Sequence, residues 1–155
     1  MKKKFLGLIP SRLGSKRLPA KALLPINGYP LIVHVYRRAK LSKKLSDVVV
    51  CCDDKKIFNI VRKFNGKAIL TSKSCLNGTE RIAEGYELIN KKYDLILDIQ
   101  GDEPLINPKQ IDEVIDYHCK NKDADIILPS LKIKKTSNEN IIKIIKDKNK
   151  NVLYL

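Results

Sequence analysis

The sequence predicts a three-layer α/β fold, a mostly parallel sheet with helices on both faces. Three observations carry this. Short apolar runs rich in β-branched residues alternate with stretches whose apolar residues recur at helical spacing. The runs are apolar along their length, as strands buried on both faces are. The most unusual polar chemistry follows directly after strand-like runs, where open α/β sheets bind ligands.

Phe5–Pro10 is the first buried strand. The loop after it gathers Arg12, Lys16, Arg17 and Lys21 around Gly14 and Ser15. Backbone N–H groups approach an anion closely beside glycine, and the cations supply charge, so such a loop suits a nucleoside triphosphate or another phosphate. Ala22–Leu24 reads as a short extended piece, and Asn27–Gly28 as a turn at positive φ. Leu31–Leu41 is a helix with Leu31, Val35 and Ala39 inward and Arg37, Arg38 and Lys40 outward. Asp47–Cys52 is the second strand, which points Cys51 and Cys52 to opposite faces. Lys55–Phe64 is a helix ended by Asn65–Gly66, and Ala68–Thr71 a third strand. After a polar loop, Thr79–Asn90 is a helix with Thr79 as the expected cap. Tyr93–Ile99 is the fourth strand and Asn107–Lys120 a helix opened by Pro108. Ala124–Leu131 reads as a fifth strand, and the segment from Ile141 as a hairpin whose second arm is Val152–Leu155.

Composition narrows the class. The chain has 155 residues, 43% hydrophobic and 31% charged, which suits one globular domain over residues 1–155. The net charge of +14 raises nucleic-acid binding as a possibility. The lysines are scattered, however, and three Phe, six Tyr and no Trp form no aromatic–basic cluster, so solvated lysine is the better explanation and no nucleic acid is expected. Met1–Pro10 imitates a signal peptide, but its apolar run is too short and no cleavage site follows. No run reaches transmembrane length, so no membrane contact is expected. The four cysteines lack zinc-ligand spacing and read as reduced thiols of a cytoplasmic protein. His34 and His118 have no acid or Cys at metal spacing, and Glu80 and Glu84 read as structural helix charges.

Three loops should therefore meet at one sheet edge: Pro10–Lys21, Ser74–Arg81 and Gln100–Pro104. In the third, Asp102 stands beside Gly101 after a strand, the placement of an acid that holds Mg²⁺ on a phosphate.

Ile9–Pro10–Ser11–Arg12, Arg17–Leu18–Pro19–Ala20–Lys21, Ile26–Asn27–Gly28–Tyr29–Pro30–Leu31–Ile32, Asn77–Gly78–Thr79–Glu80–Arg81–Ile82–Ala83–Glu84 and Asp98–Ile99–Gln100–Gly101–Asp102–Glu103–Pro104–Leu105–Ile106 occur in this order. Together they closely resemble the 3-deoxy-manno-octulosonate (Kdo) cytidylyltransferases, also called CMP-Kdo synthetases. The resemblance implies a Rossmann-like sheet of the nucleotide-diphospho-sugar transferase type. It also implies transfer of CMP from CTP to Kdo with Mg²⁺, for lipopolysaccharide biosynthesis. It assigns Arg12, Lys21 and Asp102 as catalytic, with Asp102 the metal ligand. Pro10, Ser11, Arg17, Gly78, Thr79, Arg81 and Gln100 become substrate-binding residues, and cytosine is expected to meet backbone near Pro10–Ser11 and the second loop. Ser11 stands where the family has Ala, Ala20 where it has Gly, and Asn77 where it has Ser.

CMP-sialic acid synthetases rank second on the strength of Gly14–Ser15–Lys16. Family chains continue past a motif whose start resembles Leu153–Tyr154–Leu155, carrying more of the sugar pocket, a second metal-binding Asp and the homodimer segment. An N-terminal portion, weak in CTP binding and poorly active alone, is the resulting expectation, with a non-catalytic CTP-binding module as its alternative.

Overall fold

Four of the apolar runs pair side by side to make the central sheet. The computed structural model describes residues 3–15, 18–133 and 141–154. Strands β1 (Phe5–Ser11), β4 (Asp47–Cys52), β5 (Ala68–Leu70) and β6 (Leu95–Asp98) lie in the order β5-β4-β1-β6, and every pairing is parallel. Register places Ser11 opposite Cys52 and Leu8 opposite Asp98. The chain steps outward from β1 through β4 to β5, then returns to β1's other side with β6. That reversal makes β1 the central reference of the sheet's C-terminal rim.

Helices cover both faces, as the three-layer reading requires. On one face α1 (Leu31–Ala39), α2 (Lys55–Lys63) and α4 (Pro108–Lys120) bury Ile32, Val35, Ile57, Val61, Ile111 and Ile115 against Ile9, Val48, Val50, Cys52, Leu97 and Ile99. On the other, α3 (Gly78–Ile89) packs Ile82 against Leu6, Leu8, Val49 and Cys51. Cys51 and Cys52 thus enter different cores, as a period of two demands.

Local signals explain the helix starts. Asp54 caps α2 by accepting from the Lys56 amide at 2.7 Å. Asn107 caps α4 by accepting from Lys109, with Pro108 at the first helical position. For α3 the expected cap, Thr79, is displaced: Asn77 accepts from the Glu80 amide at 2.9 Å. Asn is as good a cap as Thr and stands one turn before a Glu that returns the favour, accepting from Asn77 Nδ2 and the Leu76 amide.

Three further expectations are corrected. Ala22–Leu24 is not extended throughout; Lys21–Leu23 forms a 3₁₀ turn, entered through Ala20 at φ 50°. Strands β2 (Pro25–Ile26) and β3 (Tyr29–Pro30) then make a tight hairpin, with Asn27 and Gly28 both at positive φ. Tyr93–Ile99 shortens to β6, although amides at Asp94 and Ile99 still bond across to Lys4 and Leu8. Ala124–Leu131 is not a strand, and Ile126 and Leu131 are more than four-fifths exposed. β-branched residues favour a strand only where an edge and a packing surface receive them, and this segment meets neither. The terminal hairpin does form, β7 (Ile145–Lys146) against β8 (Val152–Tyr154), apart from the main sheet. Among the described residues, no helix is long and apolar enough to cross a membrane.

Candidate active site

β1 ends in Pro10 and buried Ser11, and this end is where the rim's loops converge. Gly101, in the loop after β6, lies so close that a Cβ there would meet the Pro10 carbonyl oxygen at 2.4 Å. Only glycine allows that approach. From the other side, a Cβ on Gly78 would stand 3.4 Å from Pro10 Cγ, so the start of α3 also touches this point. Residues from positions 10, 78 and 101 are therefore neighbours.

The charged groups follow the backbone. The 3₁₀ turn presents Lys21, whose Nζ donates to Asp102 Oδ2 at 2.5 Å. Asp102 is exposed, and its loop is braced by the Glu103 amide donating to Gln100 and the Ile106 amide to Glu103. Arg38 of α1 adds a bond from Nε to the Ile106 carbonyl at 2.6 Å. Arg12 is exposed just beyond β1, and Gly78, Thr79 and Gln100 are exposed around the same rim. Arg17 lies outside the described residues. Gln100 donates through Nε2 to Asp98 Oδ1 at 3.2 Å. Burial raises the Asp98 carboxyl above its usual value, and the Gln100 bond opposes that shift.

Arg81 is placed differently from an open-site cation. It is buried, 3% exposed, and points beneath the rim. Its Nη1 donates to Thr71 Oγ1 at 2.7 Å and to the Ser72 carbonyl at 3.0 Å, and its Nη2 lies 3.7 Å from Asp53 Oδ2. Asp53 in turn accepts from the Leu13 amide at 2.9 Å. Glu84 and Glu80 complete the second loop's framework. Glu84 accepts from the Ser72 amide and Cys75 Sγ, and those bonds hold its carboxyl below the usual range.

Sequence reasoning missed Asp53, Thr71 and Arg38. Asp53 carries part of the signal that singled out Asp102: it is an acid directly after a buried strand, though without a neighbouring glycine. Arg38 and Thr71 carry none, because their partners are distant backbone and side-chain oxygens. A cavity of about 430 Å³ opens at the ends of β4 and β5, lined by Asp53, Asp54, Lys55, Leu70, Thr71 and Lys73. It lies across β1 from the Lys21–Asp102 pair.

Among the described residues no three His, Cys, Asp or Glu side chains gather into a self-sufficient metal cage. Asp102 offers an accessible carboxylate beside a cationic loop. That donor set suits an ion such as Mg²⁺ that takes its remaining ligands from phosphate and water.

Comparison with known proteins shows the family. The family model described as Cytidylyltransferase matches residues 6–155. A 3-deoxy-manno-octulosonate cytidylyltransferase of Fusobacterium nucleatum is 44% identical over 154 residues, covering 97% of this chain and 62% of its own. An 8-amino-3,8-dideoxy-manno-octulosonate cytidylyltransferase of Shewanella pealeana is 38% identical over 153 residues, with 95% of this chain and 62% of its own covered. The chain thus spans about 62% of the length of these relatives. Among solved structures, a CMP:2-keto-3-deoxy-manno-octonic acid synthetase complexed with CTP superposes with a TM-score of 0.74 at 37% identity, over 77% of this chain and 49% of that one. A 4-diphosphocytidyl-2C-methyl-D-erythritol synthase, at 15% identity and a TM-score of 0.67, covering 96% of this chain and 70% of that one, shares the fold.

Proposed function

The chain belongs to the cytidylyltransferase family, and from that premise we propose that it carries the nucleotide-binding part of an enzyme joining CTP to Kdo. The observation that carries the reading is the Lys21–Asp102 contact, which unites a basic loop and an acidic loop over β1. A rim with both signs of charge can hold a triphosphate and its counter-cation together.

In the reaction, the sugar's anomeric oxygen forms a bond to the α-phosphorus. The bond to the β,γ-pyrophosphate breaks, and the hydroxyl proton leaves to solvent. Such transfers depend on positioning and on charge neutralisation. Arg12 and Lys21, with Arg17 from the same loop, hold the triphosphate and offset the charge gathering on the departing pyrophosphate. Asp102 is the residue that would hold Mg²⁺, whose charge would offset that of the phosphates. Pro10 and Ser11 offer backbone to the cytosine, Gly78 and Thr79 flank the nucleotide, and Gln100 stands between nucleotide and sugar. Arg81, a substrate-binding residue by resemblance, is buried, and its service to the ligand is read as indirect, through groups it holds such as Thr71 and Ser72. A cytoplasmic setting is part of the reading, since CTP is its substrate and all four cysteines are free.

The 8-amino sugar is the second reading, because a relative 38% identical over the same span bears that name. Pyrophosphate release measured with CTP, Mg²⁺ and either sugar tests both, alongside calorimetric CTP binding. Release with Kdo supports the first reading and release with the amino sugar alone the second. CTP binding without release leaves a binding module, and no CTP binding defeats the proposal.

A further inference from the structure

We infer that the Asp53–Arg81 pair is a positioning device that couples the loop after β1 to the loop after β5, holding the two ends of a bound nucleotide in one register. The inference deepens the CTP-binding reading above and rests on it.

The geometry is specific. Asp53 divides its carboxylate: Oδ1 accepts from the Leu13 amide at 2.9 Å, and Oδ2 faces Arg81 Nη2 at 3.7 Å. Arg81 also divides its guanidinium, with Nη1 spanning Thr71 Oγ1 and the Ser72 carbonyl. Thr71 is tied back to β4, since its Oγ1 and its amide both reach the Cys52 carbonyl. One chain of contacts therefore runs from the residue beside Arg12, through two opposite charges, to the wall of the 430 Å³ cavity. The Arg81 side chain is 4% exposed and the Asp53 side chain 14%. Arg81 is buried while Asp53 is partly covered at the cavity wall, so removing the carboxylate leaves a buried guanidinium without its counter-charge. Displacement of the Arg81 head is thus felt at Leu13 as well as at Thr71. Neither residue has to touch a ligand to affect both ends of the site; each acts through backbone it holds.

The test uses the full chain and two half-ligands: CMP, which probes the base side, and magnesium pyrophosphate, which probes the phosphate side. Asp53→Asn and Arg81→Lys are compared with wild type by calorimetry, well below each variant's unfolding midpoint, with amide exchange followed at Leu13 and Thr71. Each variant is expected to weaken both half-ligands, on the order of tenfold, as small misplacements of binding groups do. Both amides should lose protection together. A merely local role moves only the neighbouring ligand and the neighbouring amide, and a merely structural one lowers the midpoint without changing affinity in the folded protein. Either result overturns the coupling. Asp53→Glu, which keeps the charge but shifts the acceptor, replaces a variant that fails to fold. If wild type binds neither half-ligand, CTP itself is titrated, and no CTP binding defeats that reading on its own. Exchange then decides the coupling: Leu13 protection lost in Arg81→Lys supports it, and protection retained refutes it.

Discussion

Lys21 and Asp102 stand 81 positions apart in sequence, yet their side chains meet at 2.5 Å. Neither is buried, with side-chain exposures of 33% and 48%. A pair so open to water contributes little to folding, about 0–1 kcal/mol. Its significance is positional: it shows where the two loops of opposite charge come together.

Asp102→Asn should therefore separate stability from binding. The unfolding midpoint is expected to change by no more than a few degrees. The gain in CTP affinity on adding Mg²⁺ should disappear. Calorimetry with and without Mg²⁺ reads this directly, and an unchanged Mg²⁺ response would remove Asp102 from the metal assignment.

Gly101→Ala tests the convergence on β1. The added methyl would meet the Pro10 carbonyl oxygen at 2.4 Å, and backbone yields less readily than a side chain. A loss of about 1–3 kcal/mol is expected from the forced shift. Because Asp102 is the next residue, Mg²⁺-dependent CTP affinity should fall with it. Urea denaturation and calorimetry on the same preparation check both, and an alanine tolerated without cost would mean that the loop sits farther out.

Acid should loosen the joint between α4 and the segment after α1. Burial pushes the Asp112 carboxyl up, but bonds from Ser42 Oγ and the Lys43 and Lys44 amides, with the Lys44 charge, more than offset it and leave it below 3.8. With the folded-state value depressed, the unfolded chain holds the proton more tightly. The stabilisation is fully present above the ordinary value and is lost as pH falls through the lower folded one. Asp112→Ala should cost about 1–2 kcal/mol at neutral pH and flatten the acid limb of stability. Denaturation curves from about pH 6 to about pH 2 measure this, and an acid limb as steep as wild type's would disprove it.

Thiol chemistry should divide the cysteines by depth. Burial pushes both Cys51 and Cys52 up to about 12, and neither has measurable exposure. Cys75 and Cys119 are only partly covered. A disulfide-exchange reagent at pH about 8 is expected to label those two in native protein, with Cys75 slowed because its bond to Glu84 favours the protonated thiol, and all four after denaturation. Fast native labelling at Cys51 or Cys52 would contradict the packing.

Much of this molecule was legible in its residues because periodicity reports burial directly. Asp47–Cys52 could only be a doubly buried strand, and the split of Cys51 from Cys52 followed from pleating alone. The meeting of the three loops was legible too, since a parallel sheet delivers its loops to one edge. Ala124–Leu131 misled because its composition is strand-like while its fate depends on a neighbour that composition does not specify. Arg81 misled for the opposite reason. It sits in a recognisable motif, but the direction of its side chain is set by Asp53 and Thr71, which are distant in sequence. Long-range polar partners leave no periodic trace.

The backbone at Ala20 carries one more implication. Its φ of 50° places a residue bearing Cβ in the left-handed region just before Lys21. That conformation costs alanine about 1–2 kcal/mol, more than the roughly 0.4–1 kcal/mol that glycine gives up to the greater freedom of its unfolded chain. Glycine would therefore be the more stable choice there. The chain accepts a small local strain at the residue that turns Lys21 toward Asp102.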